Sequence, residues 1–395
     1  MPLKPSELLQ ILDQKQSEFS QFHNDASATY QAYRRALRKV SAQPDADIAE
    51  ILSDRTHSGA RLLEPLGKKY PNWIVPSKLK WTNREQSLEW VRDRLTDITT
   101  FAVDGSQIFP TKDVAPPIAL VQVGWFENPH SNEGTYDKNV RLSIMTPVEL
   151  QVQRNGRSLD RQVSMRRFEM EVERVIEFIE GYAGRSDCLV FFDGSLVATF
   201  AEAFDLECRA FYAQQYVNLL RASEKYRVPL VGYIDTSHAC DIIQTLQCLE
   251  SVPETTTLND SQLLASGMQW GDRTPLFLCD RPGDAWGQGI LAEYEEHATR
   301  ITFTYLKAND NPPVRLEFPR WMYEAGLMEV ALDYVRGEII IGNGYPYVIE
   351  TADQVAVLQA EDRQLFYRLL QDWAEKSEIN FRFSRKMVSK LLRRR

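Results

Sequence analysis

The stretch CLVFFDGSL, residues 188–196, is an almost unbroken apolar run that ends in Asp193, a glycine and a serine. Continuous apolar runs of this length, bounded by a turn signal, are typical of strands that are buried on both faces. The stretch TTFAVDGSQ, which begins at Thr99, repeats the pattern and ends in Asp104, glycine and serine. Because Asp-Gly pairs favour turns, we expect both aspartates where the sheet meets solvent.

The segments around these two stretches alternate between strand and helix patterns. Strands are predicted at 116–127, 140–150, 228–235, 301–307 and 314–319, and helices at 160–182, 205–226, 320–336 and from Thr351 to about 376. The chain also begins with a helical pattern over 5–62. Hairpin-like strands followed by strand and helix alternation predict an α/β fold, with an RNase H-like mixed sheet flanked by helices and an N-terminal helical segment.

The predicted elements change from helices to strands at Thr99, and the composition becomes strongly basic near the end of the 395-residue chain. We therefore predict an N-terminal helical segment with a connector at 1–98, a main domain at 99–376 and a basic tail at 377–395. The last twenty residues contain eight Lys or Arg and one Glu, whereas the whole chain has a net charge of -9. An acidic body needs local basic patches or metal ions to contact an anionic substrate. The tail is a candidate for such a patch or for partner binding, although a frayed basic terminus is equally consistent with its composition.

Several classes of protein are excluded by what the sequence lacks. No apolar run is long enough to span a membrane, and the first residues do not resemble a signal peptide. The cysteine count is five with no CxxC pair, which predicts a reduced, cytoplasmic protein without a structural zinc site. The chain has no GxxxxGK[ST], no GxSxG and no HxxxH, which argues against P-loop ATPases and serine hydrolases.

Asp104 and Asp193 are the first candidates for chemistry. Two carboxylates at neighbouring strand ends would form an oxygen-rich site that suits Mg²⁺ or Mn²⁺. The alternative is a pair of ordinary Asp-Gly turns. The repetition of the whole strand-DGS pattern strengthens the metal-site hypothesis and leaves both interpretations open.

A metal site needs further carboxylates, and the predicted helix with MRRFEMEVERVIEFIE supplies them. Glu169 and Glu171 flank its apolar stripe on opposite sides, so the spacing does not choose between them. A solvated helix face with pairing to Arg166 and Arg167 is the alternative for each.

Asp235 and Asp353 are weaker candidates. Asp235 ends the predicted strand at 228–235, where it could instead cap the next helix. Asp353 is placed in the first turn of the late helix, where an acid also suits the helix dipole.

The order of these motifs resembles the NurA nuclease family. The resemblance rests on Asp104-Gly-Ser, the acidic helix with MRRFEME, the strand ending in Asp193-Gly-Ser-Leu and the late GYPY element. It spans roughly residues 99–360. Two features depart from the family: Asp353 stands where relatives often carry His, and Asp235 where they commonly have Lys or another polar residue.

The resemblance implies an RNase H-like fold and a Mn²⁺- or Mg²⁺-dependent DNA nuclease in end resection, with 5′–3′ exonuclease and single-strand endonuclease activity. It also implies a homodimer that works with a HerA-type hexameric ATPase translocase. By motif, Asp104 and Asp193 would be the first and third carboxylates, and Glu169 or Glu171 the second. In such sites two cations about 3.5–4 Å apart activate water and stabilise the leaving oxygen.

DNA contacts are expected from basic and aromatic side chains: Arg154, Arg157, Arg161, Arg166, Arg167, Tyr345, Tyr347 and the tail. Core packing is the alternative for the tyrosines. Two other functions are consistent with the sequence. One is a decayed nuclease fold that acts as an adaptor for a translocase. The other is an actin-like ATPase, although the segment after Asp104 lacks the Gly/Thr-rich phosphate loop of that class.

Overall fold

The computed structural model describes residues 4–55, 57–65, 70–152, 158–281 and 289–385. It divides into two compact units that interleave along the chain. The first unit comprises Met1–Lys80, Ile234–Ala292 and Ala298–Arg320, and the second comprises Trp81–Tyr233, Glu293–His297 and Trp321–Arg395. The three consecutive segments expected from the sequence, 1–98, 99–376 and 377–395, stay a prediction.

The helices and strands alternate along most of the chain. The helices are α1 (Pro5–Gln14), α2 (Gln16–Val40), α3 (Asp45–Ser53), α4 (Arg84–Leu95), α5 (Pro147–Val152), α6 (Leu159–Gly181), α7 (Leu206–Tyr226), α8 (Asp241–Leu249), α9 (Asp260–Ala265), α10 (Arg320–Glu324), α11 (Met328–Ile341), α12 (Tyr347–Ala356) and α13 (Ala360–Lys376). The strands are β1 (Gly59–Leu62), β2 (Thr99–Ile108), β3 (Val114–Ala115), β4 (Ala119–Asn128), β5 (Asp137–Met145), β6 (Cys188–Asp193), β7 (Leu230–Ile234), β8 (Phe277–Asp280), β9 (Ile301–Leu306), β10 (Val314–Pro319) and β11 (Arg382–Phe383).

The second unit contains a mixed sheet in the order β7-β6-β2-β4-β5. Strands β2, β4 and β5 pair antiparallel, whereas β6 runs parallel to both β2 and β7. Hairpin-connected strands come first, and the later parallel strands are reached through α6 and α7, which is the order of an RNase H-like core. The predicted fold class, a mixed α/β sheet flanked by helices, is therefore confirmed.

Strand alternation assigns the helices of the second unit to opposite faces of β2. Successive side chains of a strand point to opposite faces. Phe101 stacks on Phe178 of α6 at a ring distance of 4.1 Å, whereas the Thr100 hydroxyl donates to Glu338 of α11. The same rule places Ser106, which donates to the Ala356 carbonyl of α12, on the face of Thr100. Helix α6 therefore covers one face of β2, and α11 and α12 cover the other.

The first unit has an antiparallel sheet in the order β1-β8-β9-β10, together with α1, α2 and α3. The strand pair expected at 301–307 and 314–319 is present as β9 and β10. The helical pattern predicted over 5–62 is present from Pro5 to Ser53 as α1, α2 and α3, but it is wrong at its end, where Gly59–Leu62 form β1.

Two predicted elements near the site are wrong. The strand expected at 140–150 ends at Met145, because Pro147 begins α5 and the Glu149 carboxylate accepts hydrogen bonds from the amide and hydroxyl of Thr146. The single helix expected from Thr351 is two helices, and the first of them, α12, already begins at Tyr347. Val357 has an extended ψ of 124° and ends α12 before α13 begins.

The predicted helix over 320–336 is also divided. Gly326 has a φ of +72°, which is favourable for glycine and ends α10 before α11 starts at Met328.

The first unit buries a charged network around Arg315, whose side chain is 1% exposed. Arg315 Nη1 lies 2.7 Å from Asp241 Oδ2, and its Nε lies 2.7 Å from Glu317 Oε1. Arg281 Nε adds a contact of 2.8 Å to the other oxygen of Asp241. Because removal of one partner leaves buried charges uncompensated, the network should be far more sensitive to substitution than a surface pair.

We predict that Arg315→Met lowers the free energy of unfolding by about 3–5 kcal/mol. The matched control is Lys39→Met, because Lys39 also lies 2.7 Å from a carboxylate, that of Glu250, but is 67% exposed. The control should cost less than about 1 kcal/mol. Urea unfolding of both variants tests this, and equal losses would contradict the importance of burial.

Candidate functional site

Asp104 lies on β2 just beyond the point where β2 and β6 stop pairing. The ladder between them runs from Thr99 to Ala102, whereas the ladder between β2 and β4 continues to Ile108. Asp193 is the last residue of β6. The two aspartates thus lie at the same end of neighbouring strands. The predicted turn after Asp104 is wrong, because β2 runs straight through Gly105 and Ser106.

Gly105 has a packing role instead of a turn role. A Cβ at this position would collide with Glu171 Oε1 and lie 2.7 Å from Arg167 Cγ. Arg167 Nη1 donates to the Gly105 carbonyl at 3.1 Å. The missing side chain therefore lets α6 approach β2 closely enough for Glu171 to reach the level of Asp104.

The structure distinguishes the two candidate glutamates of α6. The Glu171 side chain is 12% exposed and lies 3.3 Å from Arg167 Nε, and its buried Oε1 accepts no hydrogen bond from any described residue. The Glu169 side chain is 34% exposed and pairs with Arg166 at 2.7 Å. Glu171 thus faces the aspartates, while Glu169 belongs to a surface ion pair.

Asp193 is exposed, and its carboxylate accepts a hydrogen bond of 3.2 Å from the Tyr345 hydroxyl. Here a glycine does make a turn, because Gly194 has a φ of +134°. Tyr345 lies in the turn between α11 and α12, and its ring packs edge-on against Tyr233 at 5.3 Å. Tyr345 was expected to stack on bases, but here its hydroxyl contacts Asp193, so it can fix the orientation of that carboxylate.

Asp353 lies in the second half of α12, not in its first turn as expected, and is exposed. The end of this helix is held against the sheet by Ala356, whose carbonyl accepts from Ser106 Oγ at 2.5 Å and Gln122 Nε2 at 2.9 Å. A Cβ at Gly124 would lie 2.7 Å from Ala356 N. Helix α12 therefore rests on β4 at a glycine, as α6 rests on β2 at Gly105.

Burial and the neighbouring negative charges shift the protonation of two of these acids. Burial, together with the negative charges of Asp353 and Asp193, raises the pKa of Asp104 to about 6, although Gly105 N–H and Arg167 oppose the change. Burial and the charges of Asp104 and Asp193 raise the pKa of Glu171 to about 8, against the effect of Arg167. The structure thus brings together Asp104, Glu171, Asp193 and Asp353.

The other predicted residues have different surroundings. Asp235 is exposed and follows β7, which pairs in parallel with β6. It does not cap the next helix, because α8 begins at Asp241 with Cys240 as its N-cap. Arg161 pairs with Asp205, and Tyr347 packs edge-on against Phe126. Arg154, Arg157 and residues 386–395 of the tail lie outside the described residues.

The four acids have the donor chemistry of a hard cation site. Within the described ranges, no group of three or more His, Cys, Asp or Glu side chains is placed so that it could hold a metal ion. Glu171 Oε1 accepts no hydrogen bond from a described residue but lies 3.3 Å from Arg167 Nε, and the pKa values of Asp104 and Glu171 are raised, chiefly by burial. Carboxylate oxygens are the ligands that Mg²⁺ and Mn²⁺ prefer, so the chemistry of these donors, although not their present arrangement, suits such a cation.

A family model, the NurA domain, matches residues 98–358. The chain belongs to the NurA family. The match contains β2, α6, β6 and α12, and hence all four acids of the cluster. Membership supports a nuclease, a hydrolase of phosphodiester bonds.

This NurA protein matches no curated protein. Among solved structures it is similar to the catalytic domain of human Endonuclease V, with a TM-score of 0.33 and 13% identity, over 73% of this chain and 96% of that one. None of the described helices is both long enough and apolar enough to cross a membrane.

We predict that Asp104→Asn stabilises the protein in EDTA at pH 8 by about 1–3 kcal/mol. A raised carboxyl pKa means that the folded state retains the proton, so stability is lost as pH rises from about 4 through about 6. The gain should therefore disappear at pH 4, as measured by urea unfolding. Asp187→Asn is the control, and we expect it to destabilise the protein at pH 8. The reason is that the Arg185 hydrogen bond lowers the pKa of Asp187, so the ionised carboxylate is favoured in the folded state. If Asp104→Asn increased the free energy of unfolding more at low pH than at pH 8, the raised pKa of Asp104 would be contradicted.

We also predict that Gly124→Ala destabilises the protein by about 1–3 kcal/mol, because the new Cβ pushes the Ala356 main chain away from β4. Gly181→Ala is the matched control, since its Cβ meets nothing within 4 Å. Thermal unfolding of the pair is the measurement. Equal melting temperatures would show that α12 does not rest on Gly124.

Proposed function

We propose that this NurA protein is a divalent-cation-dependent DNA nuclease that processes DNA ends as a 5′–3′ exonuclease and single-strand endonuclease. The observation that carries the proposal is the cluster of Asp104, Glu171, Asp193 and Asp353 at one end of the sheet. Burial and the neighbouring negative charges raise the pKa of Asp104 and Glu171, which is costly to stability unless a cation or a proton neutralises these two carboxylates. A nuclease site offers a reason to retain them.

In this proposal the four acids hold Mn²⁺ or Mg²⁺, with two cations in the working site. Bound cations would supply the activation of a water molecule and the stabilisation of the leaving 3′ oxygen. Asp104 and Glu171 give up their protons as the site is loaded, so apparent cation affinity should rise with pH. Arg167, in contact with Glu171, limits repulsion within the unloaded cluster.

Other residues prepare the site without holding a cation. The Tyr345 hydroxyl orients Asp193, and the close contacts at Gly105 and Gly124 fix the approach of α6 and α12. Sub-ångström placement of ligands on rigid elements is what distinguishes a working site from a loose set of acids. DNA would then be recognised by surrounding basic and aromatic side chains, including Tyr347.

We further propose a homodimer that acts with a HerA-type hexameric translocase in the cytoplasm. Family membership supports this part, and so does an apolar groove of about 940 Å³ in the second unit. The groove lies between β4 and β5 on one side and α13 on the other, with exposed Leu142, Ile144, Leu369 and Trp373. Exposed apolar patches of this kind are characteristic of protein interfaces.

The experiment is cleavage of end-labelled single- and double-stranded DNA with Mn²⁺, Mg²⁺ or EDTA. We expect metal-dependent products from the wild type and a loss of at least about 100-fold in Glu171→Gln, Asp104→Asn and Asp353→Asn. Glu169→Gln is the matched control on the same helix, and we expect it to retain activity within about threefold, because its carboxylate faces Arg166.

Equal losses in the Glu169 and Glu171 variants would contradict the assigned ligand. Cleavage that persists in EDTA and in Asp104→Asn would contradict the proposed chemistry. No cleavage by the wild type, with or without a HerA-type partner, would favour the adaptor alternative.

A further inference from the structure

Helix α12 begins without a cap of its own. The first amides of a helix have no partner within it and are normally satisfied by the side chain of the N-cap residue. Here the N-cap is Pro346, which makes no side-chain hydrogen bond. Instead, the Val348 amide donates to Glu338 Oε2 at 2.9 Å. A carboxylate from α11 therefore caps α12 and also complements its dipole.

Glu338 is completely buried and has two further contacts. Its Oε1 accepts from Thr100 Oγ1 at 2.7 Å and lies 3.2 Å from His130 Nε2. Thr100 is the second residue of β2, and His130 follows β4. One carboxylate thus connects α12 to the strands that carry Asp104 and Gly124.

The surroundings of His130 favour its charged form. Nδ1 lies 2.7 Å from the Ile98 carbonyl, which only accepts hydrogen bonds, so Nδ1 carries a proton. Nε2 makes no hydrogen bond with a described residue but lies 3.2 Å from Glu338 Oε1, so a charged ring forms an ion pair there, whereas a neutral ring does not. Burial opposes the charge, but Glu338 and the main chain at Ile98 and Asn128 outweigh it, and the pKa of His130 is raised.

We propose that His130 and Glu338 form an ionic clasp that holds the start of α12 on the sheet and thereby positions Asp353, and that the clasp weakens when His130 loses its proton. The positioning role rests on the proposed nuclease function, whereas the holding of α12 does not. His130 and Glu338 are positioning residues, because they act through α12.

The direction of the pH effect follows from the raised pKa of His130. The ion pair is fully present below about pH 6.5, the ordinary value for His, and is lost as pH rises through the raised value. Glu338 is the charged side chain that acts on the ring, together with the main-chain groups of Ile98 and Asn128. Above the raised pKa of His130 the ring is neutral, and Glu338 loses its ion pair with the segment that follows β4. Glu338, which accepts from Val348 N–H, then holds the start of α12 on the sheet less firmly.

Hydrogen exchange of the α12 amides, corrected for the intrinsic rate, tests the clasp between pH 6 and 9. In the wild type we expect protection to fall as pH rises, a measurement that needs no substitution. In His130→Gln we expect the α12 amides to be less protected than in the wild type, and we expect the fall in protection that follows loss of the His130 proton to be absent. Glu338→Gln must place an amide NH₂ against Val348 N–H or His130, and we expect exchange about tenfold faster or more. Glu350→Gln, an exposed change in the same helix, should resemble the wild type.

Cleavage assays on the same variants separate the two proposals. We expect Glu338→Gln to lower kcat about tenfold with KM for DNA unchanged. In the wild type kcat should fall as His130 loses its proton, and His130→Gln should remove that fall. Unchanged α12 exchange in Glu338→Gln, or no pH step in the wild type, would overturn the clasp. Faster exchange with unchanged kcat would overturn its positioning role. A wild type that does not cleave DNA would overturn the proposed function, and the exchange data would still decide the clasp.

Discussion

The close approach of two helices to one pair of strands is the constraint on which the site depends. Helix α6 reaches β2 because Gly105 has no side chain, and α12 reaches β4 because Gly124 has none. The two helices cover opposite faces of β2, so each brings one acid to the same end of the strand. Glu171 comes from one face and Asp353 from the other, and Asp104 lies on the strand between them.

This arrangement has an energetic cost that is itself informative. Burial and mutual repulsion raise the pKa of Asp104 to about 6 and that of Glu171 to about 8. Among the described ion pairs, only the one between Arg167 and Glu171 offsets this repulsion. The surrounding contacts hold the acids in place regardless: Tyr345 holds Asp193, Ser106 and Gln122 hold the end of α12, and Glu338 holds its beginning. A preorganised, strained acidic cluster is what a cation-binding site requires before it is loaded.

The sequence was sufficient to predict the fold class and to place Asp104 and Asp193 on neighbouring strands, because apolar strand patterns and their repetition are local signals. It was not sufficient to choose between Glu169 and Glu171. That choice depends on which side of α6 faces Gly105, and Gly105 was interpreted as a turn residue. Asp353 was assigned to the first turn of its helix because the helix was expected to begin at Thr351, whereas α12 begins at Tyr347 with Pro346 as its N-cap. The capping of α12 by Glu338 joins residues far apart in sequence, and a pattern of local spacing does not reveal it.

The central claim is that the four acids form one cation site. Anomalous scattering from crystals of the wild type soaked in Mn²⁺ tests it most directly. The account predicts Mn²⁺ peaks within coordination distance of Asp104, Glu171, Asp193 and Asp353, and no such peaks in Glu171→Gln crystals treated in the same way. Mn²⁺ bound only at other acidic residues, with the cluster unchanged and empty, would contradict it.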